Sequence, residues 1–168
     1  TDPNLPSLYR SRTALPRAFV VHRARAADAE SALQSLLDPG QPFRHTAFVE
    51  LAAGERLPAL EECAGSEARV IGQRANRLAL EVSACGAGLL VVADSWARGW
   101  TAQVDGEPAP LWRADFLVRA VPVPAGVHRV ELSYQPPAFW YALPVSLAAW
   151  ATMLAGALPR RRRREQAA

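Results

Sequence analysis

Residues 77–94 read RLALEVSACGAGLLVVAD, and two kinds of strand lie in this run. In 77–84, Leu78, Leu80 and Val82 alternate with Arg77, Glu81 and Ser83, the period of two expected of a strand with one wet face. In 88–94, GLLVVAD is continuously apolar before its aspartate, as suits a central strand buried on both faces. Working outward, 128–134 repeats the alternation, with Val130, Leu132 and Tyr134 against Arg129, Glu131 and Ser133. Residues 100–104 run into Asp105-Gly106, the strongest short hairpin signal, and a short strand at 110–113 answers them. Residues 116–123 end at the turn Pro124-Ala125-Gly126, and 46–51 and 68–73 add two more strands. Short strands joined by Gly, Pro and Asp turns predict a mainly β fold. The expectation is an antiparallel β-sandwich or jelly-roll-like domain over residues 46–138. Residues 1–45 form a short α/β lead-in: a strand at 18–23, then a helix at 28–37 capped by Asp28. Leu33, Leu36 and Leu37 share one face of that helix, and Pro39-Gly40 ends it.

The chain has 168 residues, enough to bury a core without staples. Its hydrophobic content and two cysteines exclude a disordered chain and a disulfide-dense scaffold. The net charge of +3 is unevenly spread. Every basic residue is arginine, and Arg160, Arg161, Arg162, Arg163 and Arg164 are consecutive. Residues 1–159 therefore carry 14 arginines and 15 carboxylates, a balance of −1, so the body is no nucleic-acid binder. The chain starts at Thr1, its sole methionine is Met153, and its first residues do not read as a signal peptide. The simplest expectation is a piece of a longer protein.

Residues 139–158, FWYALPVSLAAWATMLAGAL, hold no formal charge. As a helix they would extend about 30 Å, the thickness of a bilayer core. Trp140 and Tyr141 open the segment, and the arginine run follows Pro159. The expectation is a transmembrane helix at 139–158. Arg160–Arg164 act as its topology signal, so 159–168 form a cytoplasmic tail and 1–138 lie outside the cell membrane.

Chemistry-bearing residues are sparse. His22, His45 and His128 are scattered, none at metal-ligand spacing from another ligand, so no metal site and no cofactor are expected. Cys63 and Cys85 are compatible with a disulfide across 22 positions or with two free thiols. Ser95 lacks the glycines of a nucleophile elbow. Asp105 and Asp115 are accounted for by a turn and a strand boundary. The densest cluster is 94–100, DSWARGW. Trp96 and Trp100 would offer rings for stacking on a sugar, with Asp94 and Arg98 as hydrogen-bonding partners. Alternatively, the two tryptophans close the end of the sandwich.

The run from 88 to 136 resembles the C-terminal module of bacterial YfhO-family membrane proteins. The resemblance lies in Ser95, Gly99 and Trp100; in the hairpin Val104, Asp105 and Gly106; in Ala120, Val121, Pro124, Gly126 and His128; and in Tyr134 and Pro136. Upstream, Ala14-Leu15-Pro16-Arg17-Ala18-Phe19 and Asp38-Pro39 are similar as well. The resemblance implies a polytopic parent related to GT-C glycosyltransferases, which transfer sugar from a polyprenyl-phosphate carrier at the outer membrane face. The acidic catalytic loops of such proteins lie upstream, so no catalytic residue is carried over. The expected role is an extracytoplasmic accessory domain plus the last membrane helix of that enzyme. Its expected partners are the lipid bilayer, the upstream transmembrane helices and an envelope glycan. The competing expectation is a non-enzymatic, membrane-tethered carbohydrate-binding or assembly module.

Overall fold

A computed structural model describes residues 14–38, 40 and 44–157. The chain divides into two units, Thr1–Tyr134 and Gln135–Ala168. The first contains β1 (Ala18–Val21), β2 (Arg23–Ala26), α1 (Ala29–Leu37), β3 (Thr46–Glu50), β4 (Glu67–Arg74) and β5 (Arg77–Ala84). It continues with β6 (Gly88–Val92), β7 (Trp100–Val104), β8 (Glu107–Ala109), β9 (Trp112–Ala114), β10 (Val118–Val123) and β11 (Gly126–Tyr134). These strands form two sheets, in the orders β1-β6-β10-β9-β3-β2 and β4-β5-β11-β7-β8, as a β-sandwich requires.

The periodicity of the strands explains where the core sits. Leu78, Leu80 and Val82 of β5 and Val130 and Leu132 of β11 are buried with Leu90, Val92, Val121 and Val123 from the six-stranded sheet. That cluster fills the space between the sheets. The opposite face of the six-stranded sheet is also covered. Leu89 and Val91 pack there with Val49, Trp112 and Ala120, and Leu51, Leu57 and Leu60 from the irregular stretch after β3 lie against them. Alternate residues of β6 thus enter two different cores, which is why its sequence is apolar without interruption.

Among the described residues all strand pairs are antiparallel except β2 with β3, which run parallel around α1. A parallel pair needs a crossover, and α1 supplies it. The strand-helix lead-in is therefore built into the sheet: β1 pairs with β6 and β2 with β3. Asp28 caps α1, its Oδ1 accepting the Ser31 N–H at 2.8 Å. Ala32 is the buried residue of the helix, whereas Leu33, Leu36 and Leu37 remain exposed. Asp105 and Gly106 both have positive φ, 52° and 88°, as a two-residue primed hairpin demands. That hairpin adds β8, where Pro108 is tolerated because the strand is at a sheet edge.

The second unit contains α2 (Pro137–Ala157), so the apolar segment does form one helix. The expected transmembrane helix at 139–158 is overturned: among the described residues, no helix is long and apolar enough to cross a membrane. Lack of charge is not the same as apolarity. Alanines together with Pro144, Ser146, Trp150 and Thr152 dilute Leu143, Val145, Leu147, Met153 and Leu154, and transfer to hydrocarbon depends on the strongly apolar side chains. The inward placement of 159–168 depended on that span, and Arg160–Arg164 lie outside the described residues.

Candidate functional site

The loop between β6 and β7, residues 94–99, is fastened from three directions. Arg17, just before β1, donates through Nε and Nη2 to the two Asp94 carboxylate oxygens at 2.9 and 2.8 Å. Its Nη1 reaches Gln73 Oε1 at 2.7 Å, and the Ala93 N–H donates to the Arg17 carbonyl at 2.8 Å. The hydrogen bonds from Arg17 hold the Asp94 carboxyl below the usual carboxylate range, against the opposing effect of burial. The second fastening is the Trp96 N–H, which donates to the Leu117 carbonyl at 2.7 Å.

Arg119 of β10 supplies the third. It is 5% exposed and donates through Nε and Nη2 to the Ser95 carbonyl at 3.1 and 2.7 Å. Its guanidinium carbon lies 3.7 Å from the centre of the Trp100 ring, a stacked cation–π contact. The Trp100 ring also stands 5.3 Å from that of Tyr134. Burial moves the Arg119 pKa down, and the Asp94 charge opposes that shift. Gly99, at φ 102°, turns the chain into β7 where a side chain would be strained.

The four residues expected to contact sugar thus stand close together in sequence but differ in situation. Asp94 is engaged on both oxygens by Arg17, and one face of Trp100 lies under Arg119. Trp96 is half-buried and Arg98 exposed. The two rings do not make an open two-tryptophan platform, because a guanidinium already stacks on one of them.

A second cluster escaped the sequence reading. Cys63 and Cys85 form a disulfide with Cα atoms 6.0 Å apart, which settles the open choice between disulfide and thiols. His22, between β1 and β2, lies against it, with Nε2 3.3 Å from Cys63 Sγ and 3.8 Å from Cys85 Sγ. His22, Cys63 and Cys85 bring ligand-type atoms within 4.8 Å of one another, where no such grouping was expected. Their sequence spacing held no signal, since they come from three different parts of the six-stranded sheet's rim and its covering loop.

The covering loop, residues 51–66, is tied down along its length. Trp112 Nε1 donates to Glu55 Oε2 at 3.2 Å, and Arg23 pairs with Glu62 through Nε at 2.6 Å and Nη2 at 3.1 Å. The Glu61 N–H donates to the Ala87 carbonyl at 2.9 Å, beside the disulfide. The chain matches no family model, no curated protein and no solved structure among those compared.

Proposed function

We propose that the chain is an extracytoplasmic accessory module of a polytopic bacterial envelope glycosyltransferase that uses a polyprenyl-phosphate sugar donor. The observation that carries this reading is the loop at 94–99, fastened by hydrogen bonds from Arg17 and Arg119 and to the Leu117 carbonyl, while Trp96 is half-buried and Arg98 exposed. A preorganised loop loses little entropy on binding, and a ring beside a guanidinium suits a sugar or sugar phosphate. The resemblance of residues 88–136 to YfhO-family proteins supports the transferase context. The disulfide fits an oxidising compartment outside the cytoplasm. In this reading attachment to the membrane rests on upstream helices of the parent protein, and α2 takes no part in crossing it.

The test is sugar transfer by the full-length parent from a polyprenyl-phosphate sugar, with Trp96→Ala and Arg98→Ala variants beside a deletion of residues 1–138. The expected result is a raised acceptor KM for the point variants and loss of transfer on deletion. Unchanged transfer in all three would remove the proposal.

A second reading rests on the half-buried Trp96 and the exposed Arg98 alone: a carbohydrate-binding or assembly module without transferase activity. In that case Trp96→Ala weakens association with an envelope glycan or with neighbouring helices while the parent shows no transfer.

A further inference from the structure

We infer that the outer face of the five-stranded sheet binds a phosphate dianion, free or as a monoester, between Arg74 and Arg77. The site is separate from the loop at 94–99 and does not rest on the reading of that loop.

The first observation is a pairing that strands ordinarily avoid. Arg74 and Arg77 are direct partners across the β4–β5 pair, so both side chains leave the same face of the sheet. Like charges placed directly opposite weigh against the sheet. Elsewhere this face obeys the rule: Glu81 has Arg69 as its partner on one side and Arg129 on the other. Arg74 and Arg77 are exposed, and among the described residues neither pairs with a carboxylate. An oxyanion between the two guanidinium forks replaces repulsion with charge-assisted hydrogen bonds.

The second is the bulge that creates the pair. The β4–β5 register shifts between Val70 and Gly72, with Ile71 as the extra residue. In an unbroken register Gln73 would stand opposite Arg77 and face outward. Instead Gln73 stands opposite the buried Leu78 and accepts from Arg17 Nη1 at 2.7 Å, and Arg74 comes to face Arg77. The turn between them is tied to β11, the Tyr134 N–H donating to the Asn76 carbonyl at 2.8 Å.

The third is room of the right charge. Arg74, Arg77, Gly72 and Ala79 line a cavity of about 250 Å³, together with Arg129 and Glu131. Gly72 and Ala79 are partners, so the smallest side chains stand next to the arginine pair. Neither packing nor the bulge demands the glycine: its φ lies outside the left-handed region, and a Cβ there would meet Ala79 Cβ at 3.7 Å, an ordinary contact. A strand-interior glycine of this kind marks a place of close approach. Arg129 Nε donates to Glu131 Oε1 at 2.8 Å, and that neutral pair leaves the charges of Arg74 and Arg77 unmatched. A phosphate monoester carries about −1.5 to −2 at neutral pH, close to what the two guanidiniums require, whereas a carboxylate carries a single charge.

The site is tested on the whole chain by NMR, following the arginine Nε–H signals during titration with inorganic phosphate or glucose 6-phosphate, against chloride at equal ionic strength. The expected result is saturable shifts of the Arg74 and Arg77 signals with phosphate and none with chloride. Affinity should fall at least about tenfold in Arg74→Gln and in Arg77→Gln. A tighter sugar phosphate assigns the site to the ester; inorganic phosphate of equal or greater affinity assigns it to the free ion. Glucuronate should bind more weakly than glucose 6-phosphate. In phosphate-free buffer both variants should melt no lower than the native chain, because each relieves the like-charge pair. Added phosphate should then raise the unfolding temperature of the native chain more than that of either variant. Absence of saturable shifts at the two arginines overturns the proposal, as does unchanged affinity in both variants or glucuronate that binds as tightly as glucose 6-phosphate. Variants that melt lower without phosphate would make the arginine pair structural and overturn it as well.

Discussion

Asp105 Oδ2 stands 2.6 Å from His128 Nδ1, and this pair joins the β7–β8 hairpin to the start of β11. The other carboxylate oxygen accepts the Arg129 N–H at 2.8 Å, while His128 Nε2 lies 3.1 Å from the Ala125 carbonyl. Two turns are thereby pinned by one carboxylate and one imidazole. The hydrogen bond to Asp105 raises the His128 pKa, and the bond from His128 lowers that of Asp105.

The pair sets a pH window. A raised histidine contributes stability that is full below its unfolded value and lost as pH rises through the folded value, which lies above about 6.5. A depressed aspartate contributes above its unfolded value, near 4, and loses that contribution as pH falls through the lower folded value. The unfolding temperature of the native chain minus that of His128→Gln should therefore be largest between about pH 4 and 6.5 and shrink on either side. A difference that does not vary with pH would show that no charged pair contributes.

Burial on both faces of β6 predicts that neighbouring residues are equally sensitive. Leu89→Ala and Leu90→Ala should each cost about 2–5 kcal/mol in urea unfolding, although their side chains enter different cores. A Leu89→Ala cost below about 1 kcal/mol would mean that the covering loop leaves that face open to water.

Linking Cys63 to Cys85 removes loop-closure entropy over a sequence separation of 22 residues. The Cys63→Ser, Cys85→Ser double variant should lose about 3 kcal/mol in denaturant unfolding. Hydrogen exchange should quicken first in residues 51–66. Loss spread evenly over both sheets would contradict a staple that acts on the covering loop.

Asp115 offers a test of opposite sign. It is buried, sits at φ 45°, and accepts the Phe48 N–H on Oδ1 at 2.8 Å. Burial pushes its pKa up, so the charged form weighs against the fold as pH rises above the unfolded value, near 4. Asparagine tolerates positive φ and keeps an acceptor for Phe48. Asp115→Asn should match or exceed the native chain at pH 7 and lose its advantage toward pH 3, whereas Asp115→Ala should lose about 1–3 kcal/mol. Equal losses for both variants at pH 7 would show that the charge itself is needed.

What was legible in the residues is what neighbours along the chain decide. The alternation at Leu78, Leu80 and Val82, the unbroken run at Leu89–Val92, the Asp105-Gly106 turn and the Asp28 cap are statements about positions one to four apart, where backbone geometry fixes which side chains share a face. They were enough for a mainly β fold with most strands in place. The absence of charge in 139–158 was legible too, but charge is a poor proxy for transfer free energy, and the expected membrane span failed on that difference.

Tertiary structure alone decided the rest. Arg17 reaches Asp94 across 77 positions and His22 reaches Cys85 across 63, because β1 lies antiparallel to β6. Arg119 lies over Trp100 because β10 follows β6 in one sheet while β7 lies in the other. Nothing in the local sequence encodes such meetings. They follow from strand pairing that closes long loops and from packing that must cover both faces of one sheet, and both are set by the energy of the whole fold rather than by any segment of it.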